Sequence, residues 1–248
     1  MKEILDVKIE EVSVKKDLEY LPVLKNISFG LQAGKIYTII GKNGIGKSTL
    51  FKTISRLLDD NFYKINCKII FNDKNIYELN NEELLYLHKD KMKYVLQDSI
   101  GSFDPLKKIG YYFKLDNFHK EKIEELTKYF LLPDLPVLSA LYPYEVSGGM
   151  AQRISLILSL LAEPELLLLD EPTSSLDVAV VNLLLNKLKV YVQTGIRTIL
   201  LVTQDILLAE KISTQIGLLE NGSLSEFSEP EIFFNENKNL ISSWGNNE

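Results

Sequence analysis

The sequence predicts an α/β fold with a mainly parallel sheet and an inserted helical subdomain, and three observations carry that expectation. An apolar run, Ile36–Ile40, leads directly into a glycine-rich turn and then a helical pattern through Leu58. From residue 149 onward apolar runs and helical stretches alternate, the repeating unit of a parallel sheet covered by helices. Those runs are almost continuously apolar, as strands buried on both faces are.

Taken in order, the N-terminal stretch MKEILDVKIEEV alternates and carries acids, so it does not read as a signal peptide. The run IYTII (36–40) is a short buried strand; the helix after its turn begins at about Lys47. CKIIF (67–71) reads as another strand, with an Asn72-Asp73 turn behind it. Residues 80–88 are helical in pattern, with Asn80 as N-cap and Glu82 and Glu83 in the first turn. Lys93–Gln97 is a strand-like edge. Between 98 and 145 the character changes: no convincing strand, several aromatics, prolines at 133 and 136, and a helix around 119–131. Then follow a helix (149–162), a strand (166–170), a helix (178–193), a strand (197–202) and a helix (205–212). The tail is polar and rich in Asn and Glu, a short helix with a frayed end. The expected division is a nucleotide-binding core of 1–97 and 151–225, a helical subdomain of 98–150, and a tail of 226–248.

Composition excludes several classes. The chain has 248 residues, 46% hydrophobic and 25% charged, with a formal net charge of -6. Those are ordinary globular values, and the acidic balance argues against a nucleic-acid partner. Cys67 is the single cysteine, so no internal disulfide forms. The longest apolar stretches, 154–162 and 166–169, fall far short of the roughly 20 residues a membrane span needs.

G-K-N-G-I-G-K-S-T (41–49) fits G-x-x-x-x-G-K-[ST], the phosphate loop. Its candidates for binding ATP are Gly41, Asn43, Gly44, Gly46, Lys47, Ser48 and Thr49. Glycines let successive N–H groups point into one concavity, and the following helix aims its positive end there. Lys47 brings a charge to the β- and γ-phosphates, and the Ser48 hydroxyl can hold Mg²⁺.

ELLLLDEPTSSLD (165–177) is an apolar strand ending in two adjacent carboxylates. In a parallel sheet that end lies beside the phosphate loop. Asp170 is placed to bind Mg²⁺ through water and Glu171 to polarise an attacking water. Taken alone, the pair reads equally as an acidic turn capping the next helix. YEVSGGMAQRISLILSLL (144–161) places Ser147 as N-cap before Gly148, Gly149 and a long amphipathic helix. That is either a simple helix cap or a second anion site.

With all three motifs in view, the chain resembles the ATP-binding subunits of ABC transporters over nearly its whole length. VSGGM is similar to the signature LSGGQ, Gln97 to the Q-loop glutamine, and Ser174-Ser175-Leu176-Asp177 to the D-loop. The resemblance implies a P-loop NTPase core with a mainly parallel sheet, an N-terminal antiparallel β part and an inserted helical signature subdomain. It implies ATP and Mg²⁺ as cofactors, with Gln97 near the metal and in the catalytic machinery. It implies two cassettes closing head-to-tail, so that Ser147, Gly148, Gly149 and Asp177 serve the partner's ATP. Tyr20 sits where the family often stacks an aromatic on adenine; an ordinary hairpin tyrosine is the other reading.

QDSIGSFDPLKKIG (97–110), YPYEVSGGMAQR (142–153) and SSLDVAV (174–180) are similar to segments of the oligopeptide, dipeptide and nickel importer ATPases. What this implies is an importer on the cytoplasmic face of the cell membrane. Its partners would be a second, non-identical ATP-binding subunit, two membrane-spanning permease subunits and an extracytoplasmic binding protein. The chain stops soon after the core, without the cysteine-bearing extension of peptide-type members, and so looks closer to the nickel-type or metal-chelate members. Rivals are an exporter ATPase, disfavoured by QDSIGSFDP and SSLDV, and a non-catalytic ATP-binding subunit whose partner hydrolyses.

That last rival arises at LLVTQDILLAE (200–210). The family's strand ends in T-H-D, whose histidine contacts the γ-phosphate; here Thr203-Gln204-Asp205 stands instead. A glutamine amide still donates one hydrogen bond but cannot be charged or relay a proton. Either the amide does the whole job, or this chain's own site is degenerate.

Overall fold

The computed structural model describes residues 2–116 and 118–238, so residues 239–248 of the expected tail lie outside it. Two long strands, β1 (Glu3–Lys16) and β2 (Glu19–Gln32), form a hairpin ahead of β3 (Ile36–Ile40). The loop after β3 feeds α1 (Lys47–Ile54). This helix ends short of the expected Leu58. Arg56 turns into the left-handed region (φ 50°) and its guanidinium donates to the carbonyls of Ile76 and Leu79.

Next come β4 (Tyr63–Phe71), β5 (Lys74–Asn75), α2 (Asn81–Tyr86) and β6 (Met92–Val95). Asn80 caps α2 as expected, and Glu83 returns the bond in a reciprocal capping box. A single π turn, Leu87–Lys91, links α2 to β6.

The segment expected to hold one helix holds three, α3 (Ile109–Leu115), α4 (Lys120–Tyr129) and α5 (Leu135–Ala140). Then follow α6 (Gly148–Leu161), β7 (Leu166–Asp170), α7 (Val178–Val192), β8 (Thr198–Thr203) and α8 (Ile206–Ile212). The chain adds β9 (Gln215–Glu220), β10 (Ser223–Leu224) and α9 (Pro230–Glu236).

One sheet runs β2-β1-β4-β5 and is antiparallel. The other runs β10-β9-β3-β8-β7-β6 and is parallel except at β10. The apolar strands are apolar because both faces are covered. Leu167, Leu169, Ile199 and Leu201 pack with Ile154, Ile157 and Leu184 of the helices. Their neighbours Leu166, Leu168, Leu200 and Val202 pack with Phe51 of α1 and Ile9 and Ile27 of the antiparallel sheet. That sandwich fixes the carboxyl ends of β3, β7 and β8 side by side, since Ile40 pairs with Thr203 and Asp170 with Val202. No helix among the described residues is long and apolar enough to cross a membrane.

Candidate functional site

The phosphate loop is shaped by its glycines. Gly46 sits at φ 110°, and a Cβ there would lie 3.1 Å from the side chains of Val23 and Leu24. A side chain would be both strained and crowded. The loop delivers Lys47 to a buried position at the N-terminus of α1. Its Nζ donates to the carbonyls of Gly41 (2.7 Å) and Lys42 (3.2 Å) and lies 3.0 Å from Glu171 Oε1. Oε1 makes no hydrogen bond, so the ammonium meets it as a charge, off the hydrogen-bond direction. Both partners are more than nine-tenths buried, where an ion pair holds only if each charge stays compensated.

Asp170 ends β7 with one oxygen satisfied and one not. Oδ2 accepts from the Tyr94 hydroxyl at 2.9 Å; Oδ1 is buried with no hydrogen-bond partner among the described residues. Burial, reinforced by the Asp170 charge, holds the Tyr94 phenol well above its ordinary range, so Tyr94 stays a donor.

Glu171 adopts φ 46° although it is not glycine, a conformation that costs an L-residue roughly 1–2 kcal/mol. Pro172 follows and disfavours the right-handed helical region for it. Three contacts hold it there. Its N–H donates to Val202 O (3.0 Å), its carbonyl accepts from Gln152 Nε2 (3.1 Å), and its Oε2 accepts from Thr203 Oγ1 (3.0 Å). Thr203 Oγ1 in turn accepts from the Asp205 N–H.

These groups line one cavity of about 320 Å³. Its polar wall is Asn43, Gly44, Gly46, Lys47, Ser48, Thr49, Gln97, Asp170 and Glu171. Its apolar wall is Val14, Val23 and Tyr63. One wall thus suits a polyphosphate and the other a flat organic group. No cluster of three or more His, Cys, Asp or Glu side chains among the described residues could hold a metal. Asp170, whose Oδ1 is buried without a hydrogen-bond partner, and Ser48 line the same cavity, an oxygen pair that would suit a cation sharing its shell with phosphates rather than an all-protein cage.

The family profile described as ABC transporter matches residues 24–174. The chain belongs to the ABC transporter family. It carries that family's ATP-binding ATPase cassette. An oligopeptide transport ATP-binding protein of Haemophilus influenzae, OppD, is 31% identical over 247 residues, covering 94% of this chain and 75% of that protein. A Clostridium tetani protein named for ATP binding in an ABC transporter is 32% identical over 229 residues, 88% of this chain. The chain spans half the length of that relative. Among solved structures, a dimeric ATP-binding cassette bound to ADP and phosphate shares the fold. Its TM-score is 0.78 at 23% identity, covering 92% of this chain and 99% of that one.

Within the cassette, not every predicted residue reaches the cavity. Tyr20 does not. It pairs with Lys15, while the cavity residues Val14 and Tyr63 pair with each other one position along β1. Side chains alternate across a strand, so Tyr20 lies on the opposite face of the sheet. The expected adenine-stacking residue Tyr20 thus lies away from this cavity, and Tyr63 is the aromatic that lines it. Its neighbour Val14 was no more visible in the sequence, because the β1–β4 register is a long-range pairing.

Ser147, Gly148 and Gly149 also stay outside the cavity; Ser147 Oγ caps α6 by accepting from Met150 N–H. Gly149 has its own structural requirement, since a Cβ there would lie 2.6 Å from Ser175 O. Asp177 is exposed and caps α7 through Val180 N–H. Gln204 is exposed, one residue beyond the threonine that holds Glu171. The sequence gives no sign of Tyr94, Thr203 and Gln152 as partners of the two carboxylates; their partners lie 76, 32 and 19 residues away.

Proposed function

We propose that this chain hydrolyses ATP with Mg²⁺ to power an ABC importer, as one half of a non-identical cassette pair whose own site on this chain turns over slowly. The observation that carries it is the cavity in which the buried Lys47–Glu171 pair meets an Asp170 oxygen left without a hydrogen bond. Lys47 and the N–H groups at the start of α1 bind the β- and γ-phosphates. Ser48, Gln97 and Asp170 are the residues that would hold Mg²⁺, which neutralises phosphate charge when bound. Glu171 takes the proton of the attacking water, with Thr203 fixing one carboxylate oxygen. Gln204 donates an amide hydrogen bond where the family has a histidine, and cannot carry charge.

Ser147, Gly148 and Asp177 are exposed, as residues that serve a partner's ATP must be, and Gly149, half-buried against Ser175 O, continues the same turn. The further partners are two membrane-spanning permease subunits at the cytoplasmic face and, through them, an extracytoplasmic binding protein. The helical subdomain, 98–150, offers exposed Leu106, Tyr111 and Leu115 for contact with a permease. The transported substrate is a peptide, nickel or a metal chelate. Relatives named for oligopeptide and dipeptide transport, such as those of Haemophilus influenzae and Lactococcus lactis, favour the peptide.

Calorimetric titration tests the site. Lys47→Ala is expected to weaken ATP binding about 10- to 100-fold, the loss of a charged hydrogen bond. Tyr63→Ala should weaken ATP by roughly 10-fold, one lost base–aromatic stack, and leave inorganic triphosphate binding unchanged. Tyr20→Ala should change neither. Unaltered ATP affinity in Lys47→Ala would remove the basis for the assignment.

A further inference from the structure

Gln152 is the most deeply buried amide of the described residues, 1% exposed, on a helix whose start is the exposed signature turn. Both ends of its amide are used. Nε2 donates to the Glu171 carbonyl at 3.1 Å, and Oε1 accepts from the Ser175 N–H at 3.2 Å. Gln152 therefore bridges the two ends of the turn that runs from the carboxylate strand to α7. One turn earlier on the same helix face, Gly149 lies against Ser175 O so closely that no side chain fits between them. The signature turn, residues 171–175 and the left-handed backbone of Glu171 are thus one hydrogen-bonded unit within a single chain.

We propose that Gln152 is a positioning residue that ties the backbone of Glu171 to the signature helix, so that any displacement of that helix moves the carboxylate. An amide suits this place. The Glu171 carbonyl, which also accepts from the Ser174 N–H at 3.2 Å, takes a second donor and the Ser175 N–H takes an acceptor, and an amide offers both from separate atoms. Glutamine's reach spans from α6 to the turn. Without the bridge, Glu171 keeps its N–H bond to Val202, its Thr203 bond and the Ser174 N–H on its carbonyl (3.2 Å), but loses its tie to α6, and the Ser175 N–H loses its acceptor. ATP binding at Lys47 does not pass through Gln152, so turnover should fall while affinity holds. The catalytic part of this inference rests on Glu171 being the base.

Two variants and two readouts test it. Gln152→Met keeps volume and removes both hydrogen bonds. Gln152→Glu keeps the acceptor for Ser175 and sets an oxygen against the Glu171 carbonyl. In the chain itself, amide hydrogen exchange at Ser175 should be at least ~10-fold faster in Gln152→Met than in wild type, with the exchange of core strands unchanged. In the assembled transporter with the partner site inactivated, Gln152→Met should lower kcat at least ~10-fold with KM for ATP within about two-fold. Gln152→Glu should recover towards the wild-type rate as pH falls from about 8 to about 6, because a buried carboxyl protonates early and its O–H then donates to the Glu171 carbonyl. A merely space-filling residue would show no such pH-dependent rescue. Ser175 exchange that does not change in Gln152→Met overturns the bridge. So does Lys47-dependent wild-type turnover that both variants match at every pH. If wild-type turnover does not depend on Lys47, the proposed function fails instead, and the exchange result still decides the bridge.

Discussion

ATP hydrolysis at this chain's own site, read in a transporter whose partner site has been inactivated, is expected to fall at least ~10²-fold in Glu171→Gln, the usual contribution of a positioned general base. The amide keeps the size of the carboxylate and can still accept from Thr203 Oγ1. It cannot take a proton from water. Nucleotide affinity should not fall with the rate. In the protein alone, Lys47 spends its charge on Glu171 at 3.0 Å and on the Gly41 and Lys42 carbonyls. Removing the carboxylate's charge removes a competitor for the ammonium, so ATP should bind at least as tightly and accumulate in a closed pair of cassettes. Size-exclusion chromatography with ATP measures that accumulation. A variant that hydrolyses at the wild-type rate would show that Glu171 is not the base.

The second large effect is expected at the signature turn. Gly148→Asp should lower transport at least ~10²-fold, because like charges set against each other cost several kcal/mol. The isolated chain should tolerate the change. A Cβ at Gly148 meets nothing nearer than Ser175 Oγ at 3.9 Å, and an acidic residue in the first turn of the 14-residue α6 suits the helix dipole. ATP binding at the chain's own Lys47 should be unchanged, since Gly148 lies outside that cavity. Reconstituted transport and ATP titration of the isolated chain separate the two. Normal transport in Gly148→Asp would contradict a role for the signature turn at a partner's phosphates. The same substitution at Gly149 would not make this test, because its side chain would strike Ser175 O and disturb the fold.

Where the physics is local, the sequence is legible. The strand–loop–helix at 36–54 follows from an apolar run, glycines and a helix start within twenty residues, and β7 follows from four consecutive leucines. Asn80, with Glu82 and Glu83 after it, announces α2 because a cap and an acidic first turn lie within one turn. The hairpin β1–β2 shows in the sequence only as alternation, and its pairing with β4 not at all, since register joins residues dozens of positions apart. That is why Tyr20 was the visible aromatic and Tyr63 the one on the cavity face. In the helical segment, α3 and α5 have seven and six residues, too short for a clear period, and Pro136 in the first turn of α5 marks a helix start that reads equally as a loop. Lys47, Ser48, Asp170 and Glu171 could be named because their motifs are contiguous. The side chains that hold them, Tyr94, Gln152 and Thr203, are ordinary residues until the fold brings them in.

The site is furnished with a phosphate loop, a buried lysine, two carboxylates and a threonine that fixes one of them; at residue 204 a glutamine stands where the family's pattern has a histidine. Gln204→His in this chain, assembled with its partner subunit, is therefore the substitution to make, with ATP turnover as the measurement. Supplying a positioned group that can carry charge should raise turnover at this site about 10- to 100-fold. Turnover unchanged by Gln204→His, in a transporter whose wild-type chain already hydrolyses ATP briskly, would contradict a slow site and the unequal pair built on it.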